Sequence, residues 1–306
     1  MEKLGIGKMR ICITRNCQLE CEHCFRGGRQ DINMSPRTIK NLFKNIASVK
    51  HLVITGGEPF LAVDALQELA DIIIKKNIRI HELSIITNMV TLSPKILNIM
   101  KKLSRSSCIE NLYILVSDDV FHELELERLG LKEQRDKNIN KFKGENITCV
   151  FDPVYFNSSE FPYPILPIMK RGRACKIPEE RLKEIGYRIG KIIELTPVDE
   201  SQWLQPEIRD NSVVGDVNID VFGNLVGTAK TYEEQDESTK LNPTNINRLS
   251  LADAINLFSS SSQSHNVTFG KGHHVVKVKS PSSYMKVFIG GVRKLFVPKI
   301  KAKRRN

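Results

Sequence analysis

The sequence predicts an α/β fold, a partial TIM-like (β/α)6 barrel followed by a small α+β extension and a basic tail. Three observations carry that expectation. Short apolar runs such as Met9 to Thr14 and His51 to Thr55 alternate with amphipathic segments at helical spacing, the pattern of parallel βαβ units. Six such repeats fit into residues 1–204, fewer strands than a closed eight-stranded barrel needs. From about Gln205 the pattern becomes a polar and apolar alternation around a turn, which sets an extension at residues 205–264 and leaves residues 265–306 as the tail.

Met9-Arg10-Ile11-Cys12-Ile13-Thr14 is expected to be a buried strand that delivers the chain into a cysteine-rich loop. Ser35-Pro36 supplies a helix N-cap and a first-turn proline, with Ile39, Leu42, Phe43 and Ile46 following at helical spacing. The second strand, His51 to Thr55, runs into Gly56-Gly57-Glu58-Pro59. A helix with Leu66, Leu69, Ile73 and Ile74 inward separates it from a third strand, Leu83 to Asn88. Ser93-Pro94 opens the next helix, and Leu112 to Ser117 makes the fourth strand. A charged helix is expected from Phe121 to Lys132 and a fifth strand from Ile147 to Phe151. Between Asp152 and Pro178, five prolines and the basic group Lys170-Arg171-Gly172-Arg173 predict a long irregular segment. A helix from Glu179 to Ile189 and a strand from Lys191 to Leu195 complete the sixth repeat. In the extension, Asp216 to Val221 turns at Phe222-Gly223-Asn224 and returns as a hairpin over Leu225 to Thr228. Ser250 caps a short helix, Leu251 to Phe258, and Ser259 to Ser264 is expected to be a linker.

Composition narrows the class. Hydrophobic residues make up 41% of the 306, ample for a core. The chain has no run of 18 apolar residues and its N-terminus lacks a signal-peptide pattern, so a cytoplasmic location is expected. Seven cysteines, three of them clustered, fit metal binding in a reducing compartment better than a disulfide framework. The net charge of +11 is confined to one end, since residues 271–306 hold eleven Lys and Arg with no Asp or Glu. There Tyr284, Val287, Phe288, Val292, Leu295 and Phe296 recur at helical spacing among the cations, a pattern suited to an anionic membrane, a nucleic acid or an acidic partner.

Cys17, Cys21 and Cys24 carry the first chemical signal, three thiols at spacings of four and three. Thiolates suit iron–sulfur clusters, copper(I) and zinc. A closed zinc site or a ferredoxin-type cluster takes four protein ligands, so three leave a metal open to something else, unless the thiols are ordinary loop residues or part of a zinc site. Gly56 and Gly57 let backbone approach a ligand closely, and the same tetrapeptide also makes a plain turn. Asn88 and Ser117 end the third and fourth strands, where parallel barrels gather their active sites and where turn or cap residues also occur. Asp118, Asp119 and His122 are expected to be capping and surface residues. Cys12, Cys108 and Cys149 are expected to be buried packing, and Cys175 stands alone.

The CxxxCxxC loop with His23 before its last cysteine, and Gly56-Gly57-Glu58-Pro59 about thirty residues on, resemble the motifs of the radical S-adenosylmethionine (radical SAM) superfamily. The resemblance implies one [4Fe–4S] cluster held by Cys17, Cys21 and Cys24, with SAM on the fourth iron. It also implies that Gly56, Gly57 and Glu58 contact the SAM amino group, that His23 lies near the adenine, and that Asn88 and Ser117 meet its ribose and carboxylate. An electron donor such as flavodoxin or ferredoxin would reduce the cluster, and cleavage of SAM would give a 5′-deoxyadenosyl radical that takes hydrogen from a substrate. Residues 205–258 resemble the SPASM/twitch extension of peptide-modifying members, which points to a peptide or protein substrate. Where that extension places a cysteine for an auxiliary cluster, this chain has Gly227-Thr228-Ala229-Lys230. Modification of RNA or DNA, suggested by the basic tail, and a non-catalytic SAM-binding or redox-sensing protein are the alternatives. No catalytic residue can be named at this stage.

Overall fold

The structure, a computed structural model, describes residues 3–151, 165–198, 204–227, 230–241 and 244–263. Strand β1 (Leu4–Thr14) lies parallel to β2 (Ile46–Gly56), and β3 (Arg79–Thr87), β4 (Ile109–Val116) and β5 (Thr148–Phe151) follow outward, each parallel to the last. Helices α1 (Pro36–Leu42), α2 (Val63–Lys75) and α3 (Pro94–Ser104) link the first four strands. Ser35 and Ser93 cap α1 and α3 as expected, accepting from the N–H groups of Thr38 and Ile96 ahead of a first-turn proline. Ile46, placed on the first helix by its spacing, instead begins β2.

Two helices, α4 (Val120–Leu129) and α5 (Lys132–Asn140), stand where one charged helix was expected. Gly130, at φ +66°, ends α4 in the left-handed conformation that glycine adopts at little cost. The stretch expected to be irregular holds a strand, β6 (Ile165–Met169), joined through α6 (Glu179–Ile189) to the parallel β7 (Ile192–Thr196) in a separate two-stranded sheet. Pro167 is tolerated because β6 is an edge strand, with β7 as its neighbour among the described residues. The remainder of that stretch, residues 152–164, lies outside the described residues. The small sheet packs through Leu166, Ile168 and Ile193 on Val120 and Phe121 of α4 and Ile185 of α6.

The extension joins the main sheet. β8 (Glu207–Arg209) and β9 (Ser212–Ile219) form an antiparallel hairpin across Asp210-Asn211, both residues at positive φ. β9 then lies parallel to β1 on its free side, giving the order β5-β4-β3-β2-β1-β9-β8. The hairpin expected after Val221 reduces to a single bridge between Ile219 and Leu225. α7 (Tyr232–Leu241) was not foreseen, and α8 (Leu251–Gln263) runs through most of the expected linker, where the Ser259 and Ser260 hydroxyls donate to the Ile255 and Leu257 carbonyls inside the helix. The basic tail, 265–306, lies outside the described residues, as does Ser264.

The sheet is mostly parallel and stays open. Met9, Ile11 and Ile13 of β1 join Leu52, Ile54, Leu83 and Ile85 in the main core, while Lys8 and Arg10 fall on the opposite face. Strand register sets Asp216, Lys8, His51, Glu82 and Asn111 side by side across five strands, with Lys8 3.4 Å from Asp216 and His51 3.5 Å from Glu82. A closed barrel fills that space with branched apolar side chains; an open one allows a polar row there. No helix among the described residues is long and apolar enough to cross a membrane.

Candidate functional site

The cysteine loop leaves the carboxyl end of β1 and is tied down along its length. Arg15 is wholly buried between the Phe222 and Tyr232 rings, donates twice to the Asp236 carboxylate (3.0 and 2.8 Å), and also donates to Gln30 and Gln235. The N–H of Glu20 donates to Glu125, the carbonyl of Cys24 accepts from the N–H of Arg173, and the carbonyl of Arg26 accepts from that of Tyr232. Gly56 and Gly57 pack directly on the loop's entry: a Cβ on Gly56 would lie 2.3 Å from the Thr14 oxygen, and one on Gly57 2.2 Å from the Asn16 oxygen. Those same two oxygens accept from the N–H groups of Gly57 (2.8 Å) and Glu58 (2.7 Å). Glycine is thus required for backbone to meet backbone, which places the loop before any ligand arrives.

Glu58 follows the two glycines. Its side chain is fully buried behind the cavity wall, and its oxygens accept from the Phe60 N–H, the Thr87 hydroxyl (2.7 Å) and the Asn88 N–H (2.8 Å). Burial pushes its carboxyl up to about 7 against the pull of those donors. Those three donors tie Glu58 to the end of β3 and to the turn at Phe60. Met89 follows in a left-handed backbone (φ 60°), held by the Thr87 hydroxyl and by Asn138, whose amide donates to the Met89 and Val90 carbonyls. This arrangement presents Asn88 to the cavity, 3.9 Å from the Cys17 sulfur.

The remaining expected residues, His23, Gly56, Gly57, Asn88 and Ser117, line one cavity of about 480 Å³ together with Cys17, Cys21 and Cys24. Burial, with the Glu58 carboxylate nearby, pushes the Cys17 thiol up to about 12. Among the described residues, the set of three metal-ligating atoms within 4.8 Å of one another is His23, Asp119 and His122, so the three sulfurs are spread more widely. A single tetrahedral zinc, with Zn–S bonds near 2.3 Å, draws its sulfurs within about 4 Å. The wider spread suits a cluster that offers each cysteine its own iron. The cavity volume falls in the range that encloses a cofactor-sized ligand.

Several site residues were not expected. Asp119, expected at the surface, caps α4 but is 2% exposed. Burial would raise its carboxyl, yet the His122 and His23 imidazoles hold it well below the usual range. His122 reaches the cavity. Burial would lower its imidazole, but Asp119 and then Cys21 hold it well above the ordinary value. Arg10, Arg26, Arg173 and Tyr232 line the same cavity. Arg26 donates to the Lys230 carbonyl and lies 4.6 Å from the Phe25 ring centroid, while its Nε, the Nε of Arg173 and the Tyr232 hydroxyl are buried without hydrogen-bond partners among the described residues. Arg10 was within reach of sequence reasoning, because alternation along β1 turns it away from Met9 and Ile11.

Residues 11–157 match the family profile described as the radical SAM superfamily. Among curated proteins, the probable GTP 3′,8-cyclase of Methanocaldococcus jannaschii is 36% identical over 98 residues, covering 30% of this chain and 32% of its own length. The protein of the same name from Methanothermobacter marburgensis is 37% identical over 85 residues, 26% of this chain and 27% of its own length. The match therefore spans less than a third of either relative. Among solved structures, native anSMEcpe with bound AdoMet and Cp18Cys peptide superposes with a TM-score of 0.51 at 12% identity, over 90% of this chain and 86% of that one, which shows a shared fold. A [4Fe–4S] cluster and SAM are the cofactors of this superfamily, and the three spread thiols on one cavity agree with the profile match and the shared fold: the chain carries a radical SAM superfamily domain over residues 11–157.

Proposed function

We propose that this chain is a radical SAM enzyme acting on an anionic small molecule of the nucleotide class. The observation that carries the reading is one cavity lined by three cysteines and also by Arg10, Arg26 and Arg173. When bound, cluster and SAM together supply a carbon-centred radical that takes a hydrogen atom from the substrate. Cys17, Cys21 and Cys24 are the cluster ligands in this reading, and Cys17 must give up a tightly held proton to serve. His23, Gly56, Gly57, Asn88 and Ser117 form the SAM wall, with Glu58 positioning Asn88 from behind. Ile86, Ile168 and Met169 line the same cavity and keep water from the reacting centre. Reduction comes from a protein electron donor of the flavodoxin or ferredoxin kind.

Guanidinium groups bind phosphate in a bidentate fork, and the Nε donors of Arg26 and Arg173 have no acceptor among the described residues. The curated relatives are named for GTP, a substrate of that charge. The cavity therefore favours a phosphate-bearing nucleotide over the peptide suggested by the extension. In the test, the anaerobically reconstituted full chain receives SAM, a reductant, and GTP, guanosine or an unrelated peptide. The expected result is 5′-deoxyadenosine release stimulated by GTP above guanosine and peptide. Equal release with all three, or stimulation by the peptide alone, would reject the nucleotide reading.

A further inference from the structure

Asn88 is held at both its backbone and its side chain. Its N–H donates to the buried Glu58 carboxylate (2.8 Å), which fixes the chain at the end of β3. Its side-chain oxygen accepts from the Val90 N–H (3.0 Å) and from the Gln18 amide nitrogen (2.9 Å). A backbone N–H can only donate, so the Val90 contact fixes which end of the Asn88 amide is the oxygen. The nitrogen therefore takes the other side, 3.9 Å from the Cys17 sulfur, on the cavity that Asn88 lines. The same reasoning orients Gln18, whose nitrogen must meet the Asn88 oxygen because the reverse orientation sets two acceptors against each other. That nitrogen also reaches the Thr91 hydroxyl at 3.5 Å, while the Gln18 oxygen is buried with no hydrogen-bond partner among the described residues. The contact with Asn88 is thus kept although it leaves a polar atom of Gln18 unpaired, a costly arrangement for an amide with no other task.

We propose that Gln18 is a positioning residue that, by holding the Asn88 oxygen, keeps the Asn88 N–H₂ group facing the cavity, where it donates to a carboxylate or ribose oxygen of SAM. The proposal rests on the reading of Asn88 as part of the SAM wall. Both acceptor positions of the Asn88 oxygen are filled by protein donors, so a ligand meets only the N–H groups of that amide. Without Gln18 the oxygen keeps one donor, and the side chain is free to swing its nitrogen away from the ligand. A member of such a network contributes through its neighbours as well as through its own contact. Gln18 directly follows Cys17, so the orientation of Asn88 is tied to the same loop that Gly56 and Gly57 hold in place.

The test uses the full chain, reconstituted anaerobically without reductant so that SAM binds uncleaved, with iron counted per chain and SAM affinity measured by calorimetry. Gln18→Met, of similar shape but with no N–H, is expected to keep the wild-type iron content and to weaken SAM binding roughly two- to tenfold, the loss of one neutral hydrogen bond. Gln18→Glu, which turns an oxygen toward the Asn88 oxygen, is expected to weaken it at least as much. In an Asn88→Ala background, which itself binds SAM more weakly, Gln18→Met is expected to have no further effect, because the two residues act as one unit. A merely structural role would give the same loss in both backgrounds. Such an equal loss, or a Gln18→Met chain that binds SAM as wild type does, overturns the proposal alone. If Gln18→Met loads no iron, Gln18→Glu decides, and its loss must vanish in the Asn88→Ala background. If neither variant loads iron, Gln18 holds the loop itself and the proposal fails. Unchanged SAM affinity in Asn88→Ala removes Asn88 from the SAM wall and the proposal with it, and a wild type that binds neither iron nor SAM overturns the reading beneath both.

Discussion

Glu58 holds a carboxylate, enclosed on every side, among three donors drawn from two strand ends. Glu58→Gln keeps the shape but turns an amide N–H₂ toward at least one of those donors, leaving a buried polar group unpaired. The expected cost is about 1–3 kcal/mol, read as a lower denaturation midpoint, whereas a residue facing the SAM amino group would chiefly lose affinity. The pH dependence has a definite sign. Because burial raises the folded-state value to about 7, the folded chain holds this proton more tightly than the unfolded chain. Its contribution is full below the ordinary carboxylate range and is lost as pH rises toward and through about 7. The variant should show a flatter stability profile over that interval, and a profile as steep as wild type would show that Glu58 is not the group responsible. The residues GGEP were legible as a site feature, but their geometry was not. Sequence shows that two glycines permit a close approach, and only the fold shows that what approaches is the cysteine loop's own backbone.

Among the elements, α7 has the most influence on the site and was the least visible. Its main hold is a clasp of Asp236 and Gln235 on Arg15, with the Tyr232 ring over the guanidinium. Asp236→Ala strands a buried cation next to the cysteine loop. The pair is not fully enclosed, since Asp236 is 41% exposed, so the loss should be about 2–3 kcal/mol, below the 3–5 kcal/mol of a fully buried pair. Amide hydrogen exchange should accelerate across residues 15–27 before it does in β2 or β3. Uniform acceleration would mean that the clasp serves global stability rather than the loop. By contrast, Ser35-Pro36 and Ser93-Pro94 announce α1 and α3 through local chemistry that needs no partner. Tyr232 to Leu241 has few apolar residues to set a period, and its docking depends on a residue some 220 positions away. Periodicity along a sequence records the local term and not that one. The strand at Ile165 to Met169 was hidden for a related reason: five prolines argue against a central strand, but not against an edge strand.

At the scale of the molecule, charge and chemistry occupy different ends of the chain. Among the described residues, those that line the cavity all precede position 233, while the surplus positive charge lies in residues 271–306. Deleting that tail is expected to leave iron content and SAM cleavage unchanged and to reduce binding to anionic vesicles, with the full-length chain's binding weakening as salt is added. Loss of iron in the truncated chain would make the tail part of the site. The polar row from Asp216 to Asn111 could be anticipated strand by strand, but only register aligns it. The pairing of β9 with β1 has a further consequence, in the order of synthesis. β1 is made first and can zip to β2 after some forty residues, but its other edge and Arg15 wait for residues 212–236. At translation rates of roughly 5–20 residues per second, that interval is on the order of 10–40 s. Throughout it the edge of β1 is uncovered, guarded by the charges of Lys8 and Arg10, and the three thiols sit on a loop not yet clasped. The nascent chain therefore carries its cysteine loop unclasped until the last third of the protein closes over it.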